Sequence, residues 1–140
     1  MHNPAPPIGT RPARWDDPLT LESILDTMQD VFYRVDPEGR IVVVSRSGAV
    51  EMGYQGPEAL VGQLAETLWA HPERRPAMMA ALLRDGVVRD WELELRRRDG
   101  SVITVATTVH LLEGGPGQRA GYQGIWRNIS ERKRADASLR

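Results

Sequence analysis

The sequence predicts an α+β domain: five antiparallel strands, short helices inserted after the second strand, an N-terminal helix, and a charged helix at the C-terminal end. Three observations carry this. Trp91 to Ile129 alternates apolar and polar residues with a period of two, in three runs separated by turn residues. Upstream, Val31 to Asp36 and the β-branched run Ile41 to Val44 flank the turn sequence Asp36-Pro37-Glu38-Gly39. Between these regions, Gly48 to Gly86 shows helical spacing repeatedly broken by Gly and Pro.

Bulk properties bound the function classes. A chain of 140 residues is long enough for one domain with a real core. The 41% hydrophobic and 26% charged fractions are those of an ordinary globular protein. A formal net charge of −1, from 18 basic and 19 acidic residues, argues against a nucleic-acid binder, which needs a basic excess. The triplets Arg96-Arg97-Arg98 and Arg132-Lys133-Arg134 read as solvated faces. With no cysteine in the chain, disulfides, thiolate-bound metals and thiol catalysis are excluded. No apolar run approaches the roughly 18 residues of a membrane span, so no membrane contact is expected of this segment.

In chain order, residues 1–17 form a Pro-rich leader, with Trp15 able to pack back onto the domain. Asp17-Pro18 starts an N-terminal helix over 18–30, with Leu21, Ile24, Leu25 and Met28 as one apolar stripe for the sheet or for a second subunit. Residues 31–130 form the core. Short helical pieces are expected at Ala49–Met52, Pro57–Leu60 and Ala65–Trp69. A longer helix is expected from Pro72 to Leu83, with Met78, Met79, Leu82 and Leu83 inward and Asp85-Gly86 as its stop.

Register determines the hairpin that follows. A two-residue Asp99-Gly100 loop would pair Leu95 with Thr104 and mix the two faces. A three-residue loop, Arg98-Asp99-Gly100, pairs Leu95 with Ile103, Leu93 with Val105 and Trp91 with Thr107, and keeps one face apolar. This predicts a type I turn with Gly100 left-handed as a bulge. Glu113 to Gln118 is a loop, and Tyr122 to Ile129 is the last strand, with Tyr122, Gly124 and Trp126 on one face. Ser130 then caps a helix over 131–140 too charged to stand without a partner.

Four segments in order give a family resemblance. Asp36-Pro37-Glu38-Gly39-Arg40-Ile41, Gly53-Tyr54 through Glu58-Ala59-Leu60-Val61-Gly62, Arg98-Asp99-Gly100-Ser101, and Arg127-Asn128-Ile129-Ser130-Glu131-Arg132-Lys133-Arg134-Ala135 resemble the successive motifs of the PAS sensor domain, over about Leu19 to Arg140. Two positions depart from the pattern. Ser45 stands where the family has Asn after the second strand. Asn128 stands where it has Asp, which loses an ion pair and implies a weakened latch between core and exit helix.

The resemblance implies a PAS fold, with the short helices on one face of the sheet and a cavity between them. Its wall would include Leu93, Ile103, Val105, Thr107, Val109, Tyr122, Gly124 and Trp126 from the strands, and Met52, Leu68, Met78 and Met79 from the helices. A light-sensing flavin adduct is excluded by the lack of cysteine, and Trp126 fills the place of the flavin-reading Gln. Haem is disfavoured, since Met79 occupies the position of the proximal His. A small apolar or amphipathic ligand, with Tyr122 and Thr107 as polar handles, fits the residue types. No nucleophile–base pair or paired carboxylates assemble, so the segment is expected to be non-enzymatic. Two functions stay open. One is a cytoplasmic sensory module, homodimeric through its terminal helices, that relays a signal through Asn128, Ile129 and Ser130 to an output domain of the histidine kinase or diguanylate cyclase kind. The other is an interaction module with a filled core and no ligand.

Overall fold

The sheet is set by two turns of the same chemistry. In each, an Asp side chain at the turn accepts backbone N–H groups ahead of it: Asp36 Oδ1 those of Glu38 and Arg40, and Asp99 Oδ1 that of Ser101, all at 2.9 Å. A Gly then takes the left-handed backbone, Gly39 at φ +88° and Gly100 at φ +89°, which a side chain would disfavour. The Arg97 carbonyl accepts from Gly100 N–H at 2.9 Å and the Ser101 carbonyl from Arg97 N–H at 2.7 Å.

The computed structural model describes residues 30–114 and 121–138. The predicted leader, Trp15, the apolar stripe of the N-terminal helix and most of the loop after Glu113 lie outside the described residues. The strands are β1 (Val31–Val35), β2 (Ile41–Val44), β3 (Val87–Arg96), β4 (Val102–Leu111) and β5 (Tyr122–Asn128). They form one five-stranded antiparallel sheet in the order β2-β1-β5-β4-β3. The β3–β4 register is Leu95↔Ile103, Leu93↔Val105 and Trp91↔Thr107, as the three-residue loop requires. A bulge between Val88 and Trp91, with Asp90 at φ +49°, returns Val88 to the inner face opposite Val109.

Between β2 and β3 lie α1 (Arg46–Glu51), three 3-10 turns (Pro57–Ala59, Ala65–Leu68 and Pro72–Arg74) and α2 (Arg75–Asp85). After β5 comes α3 (Ser130–Ser138). The inner face (Val31, Val35, Val105, Val109, Tyr122, Trp126) joins Met52, Leu60, Met78 and Leu82 in one core. Each such fully buried side chain contributes about 1.5–3 kcal/mol.

Several boundaries differ from expectation. β1 ends at Val35, because the Asp36 carboxylate is committed to the turn. α1 begins at Arg46 rather than Ala49. Ser45, in the place of the family's Asn, sits before it with its hydroxyl accepting Phe32 N–H at 3.2 Å. The segment after Pro72 is a 3-10 turn that becomes α-helix at Arg75, and it ends with Gly86 left-handed at φ +76°. Leu83, expected inward, is 67% exposed. The buried stripe is Met78, Ala81, Leu82, spaced i, i+3, i+4, and Leu83 lies off it.

Candidate functional site

An apolar cavity of about 70 Å³ lies between the inner face of the sheet and the helical segment. Strand parity delivers Leu93 and Leu95 from β3, Val105 and Thr107 from β4, and Tyr122 and Trp126 from β5. The helical side adds Met52, Leu60, Leu68, Trp69 and Met78. Four of the residues named from sequence do not line it. Val109 is fully buried, but in the lower core opposite Val88. Met79 is half-buried one position off the Met78 stripe. Gly124 has no side chain to contribute. Ile103 is buried against Leu95 and also lies outside the wall.

Sequence parity missed the β1–β2 contribution. Tyr33, Val35, Ile41 and Val44 all line the cavity. The signal was present in the odd-position apolar residues of β1, but nothing local says that β1 sits beside β5 in the centre of the sheet.

Tyr33 is the site's most informative group. Its register partner on β5 is Gly124, and the missing side chain there admits the Tyr33 ring. A Cβ at 124 would lie 2.9 Å from the Tyr33 hydroxyl and 2.5 Å from the Thr108 carbonyl oxygen. Lying across β5, Tyr33 reaches β4, where its hydroxyl sits 2.7 Å from Thr107 Oγ1. Thr107 Oγ1 in turn donates to the Ile125 carbonyl at 2.8 Å. A threonine hydroxyl has one hydrogen, so Tyr33 must donate to Thr107. Burial pushes the Tyr33 phenol well above the ordinary tyrosine range; the Thr107 hydrogen bond pulls it back in part, and nearby Tyr122 adds to the rise. The phenol is therefore neutral under all ordinary conditions. Tyr122 makes a different contact. Its hydroxyl accepts from Arg75 Nη2 at 2.8 Å, and the guanidinium stands 5.9 Å from its ring centre.

The exit of the domain is built from the same strand pair. Ile129 N–H donates to Thr104 O at 2.8 Å, and Thr104 N–H donates to Ser130 Oγ at 2.9 Å. Ser130 is thus tied to β4 rather than capping its own helix. The cap falls to Asn128, whose Oδ1 accepts Ser130 N–H at 2.9 Å. The Asn128 amide nitrogen donates to Glu51 Oε1 at the end of α1, a bond that Asp could not make. Lys133 of α3 pairs with Glu92 of β3, and Arg127 forks onto buried Asp30 at 2.9 and 3.2 Å. The weakened latch expected from Asn128 is not what the geometry shows; the amide links two helices that a carboxylate would link less well.

Among the described residues no group of three or more His, Cys, Asp or Glu could hold a metal ion, and no helix is long and apolar enough to cross a membrane. His110 is exposed at the outer end of β4, opposite Gln123.

A sheet of this order, with short helices roofing an apolar cavity and a helix leaving the last strand, defines a sensor-type α+β fold. The chain matches the PAS fold family over residues 19–129 and belongs to it. It is a sensory signalling module and not itself a catalytic domain. The cell-division control histidine kinase PdhS of Brucella ovis is 31% identical over 85% of this chain. Two-component system protein A of Emericella nidulans is 28% identical over 86%. The chain spans 12% and 18% of those two proteins. The PAS domain of a Colwellia psychrerythraea protein shares the fold at a TM-score of 0.68 and 22% identity, covering 82% of this chain and 99% of that one. A PAS domain from a two-component sensor histidine kinase aligns at 0.64 and 11% identity, over 79% and 94%.

Proposed function

We propose that the domain senses occupancy of its cavity by a small molecule and relays it through Asn128, Ile129 and Ser130 to α3, and so to an output domain of a two-component signalling protein in the cytoplasm. One observation carries this reading: cavity and exit share β4. Thr107 and Val105 face the cavity, while Thr104, the next residue, holds both Ile129 and Ser130. On the other side Met52 lines the cavity directly after Glu51, which holds Asn128. A change in cavity filling thus reaches the exit helix from a strand and from a helix, and shifts it only as far as the ligand prefers one packing over the other. The similarity to histidine kinases supports an output of that kind.

A cavity-filling substitution tests the relay without a ligand. Ala65→Leu adds volume from the roof, and the expected result is slower amide hydrogen exchange across Ser130–Ser138, by about threefold, lost again in an Asn128→Ala background. Unchanged exchange in a folded Ala65→Leu protein would overturn the relay.

A homodimer through the terminal helices accompanies this reading. Residues 131–137 of α3 are exposed throughout, and a helix this short needs a partner to persist. Sedimentation showing a monomer at high concentration would remove the dimer. A dimer unaffected by cavity filling would favour the plain interaction module.

A further inference from the structure

The hydrogen-bond arithmetic of the cavity assigns a ligand class. We infer that the cavity takes a small neutral molecule, apolar over most of its surface, that donates one hydrogen bond to the Tyr33 hydroxyl oxygen: an alcohol, a phenol or a small N–H heterocycle. This rests on the reading of the cavity as a ligand site.

The argument follows the protons. Thr107 Oγ1 spends its only hydrogen on the Ile125 carbonyl, so Tyr33 spends its own on Thr107. What the pair has left is lone pairs. A ligand carbonyl, ether or carboxylate placed there would meet an oxygen with no hydrogen to offer, and a carboxylate would also lose its hydration without a countercharge. A ligand O–H or N–H meets an acceptor. The Tyr122 hydroxyl is held 2.8 Å from Arg75, which is not part of the wall, so it is turned toward the first turn of α2. Size sets the other limit. At roughly 10–15 Å³ per water-sized site, 70 Å³ suits a single small ring. Gly124 is the enabling residue, because any side chain there would displace Tyr33 from Thr107.

The test titrates the full chain with phenol, anisole and toluene, three rings of similar size that offer a donor, an acceptor and neither. The readout is the NMR shifts of the Thr107, Gly124 and Ile125 amides. Phenol is expected to bind about three- to tenfold more tightly than either of the others. Thr107→Val is near-isosteric and releases the Tyr33 hydrogen toward the cavity, so the order of phenol and anisole should reverse. Tyr33→Phe leaves Thr107 Oγ1 as the acceptor, so phenol should keep its lead there. Equal affinity for all three would overturn the donor rule while leaving the cavity as a binding site. Preference for anisole in the unmodified protein would put an indole N–H or the Tyr122 hydroxyl at the ligand and overturn it too. Binding of none of the three would remove the cavity reading itself.

Discussion

The cavity pair Tyr33–Thr107 and the exit junction Asn128–Ser130 are both networks of side chains reaching across strands, and they differ in their surroundings. Tyr33, half-buried, and Thr107, buried, line an apolar cavity, where Thr107 Oγ1 is shared between the Tyr33 hydroxyl and the Ile125 carbonyl. Asn128 is exposed, and the junction it caps is also held by Ile129 and Ser130 on Thr104. Losing a bond in the first strands a buried polar group, at about 1–3 kcal/mol; losing one at the surface exposes a group that water can serve. The buried network is therefore suited to choosing what fills the cavity. The exposed one is suited to being shifted cheaply.

The largest way to break this contrast is at Gly124. Gly124→Ala places a Cβ 2.5 Å from the Thr108 carbonyl oxygen, a backbone atom that cannot step aside, and it also displaces Tyr33. A loss of about 1–3 kcal/mol in urea unfolding is expected, toward the upper end. Stability equal to the parent would mean the Tyr33 slot is not tight.

Next in size is the comparison of Thr107→Val with Tyr33→Phe. The first leaves the Tyr33 hydrogen without its acceptor and removes the side-chain bond to the Ile125 carbonyl, whereas the second leaves Thr107 still bonded to Ile125. Thr107→Val should cost about 1 kcal/mol more, and the double variant should cost no more than Thr107→Val alone. Equal costs would reverse the donor assignment.

Smallest under ordinary conditions is the pH effect. The Tyr33 pKa is raised in the fold by burial, so its contribution is fully present below the ordinary value of 10.0 and is lost as pH rises above it. Stability should fall by about 1 kcal/mol per pH unit above that point. Tyr33→Phe should flatten this slope, and a slope that survives the substitution would place the titrating group elsewhere.

Much of the architecture was legible because it is local. Asp36-Pro37-Glu38-Gly39 and Arg98-Asp99-Gly100-Ser101 carry their turn geometry in their own side chains, and a single-residue slip would have turned Leu93 and Val105 to solvent. That is why the β3–β4 register follows from residues alone. Other features were not legible because they depend on residues far apart in the chain. Leu83 reads as inward until the packing of α2 selects Met78, Ala81 and Leu82. Asn128 reads as a weaker Asp until Glu51, 77 positions away, supplies an acceptor that favours an amide. Tyr33 reads as one more strand residue until β1 is laid beside β5 and Gly124 opens the way to Thr107.

By itself the sequence determined the α+β class, the two Asp–Gly turns, the apolar face of the hairpin and the charged helix that leaves it, since each depends on neighbours within a few residues. Only the tertiary structure decided the strand order, the Tyr33–Thr107–Ile125 proton arrangement and the sharing of β4 between cavity and exit. These are contacts between segments up to 95 residues apart, the span from Val31 on β1 to its partner Trp126 on β5, and short-range periodicity carries no information about which distant strand will be the neighbour.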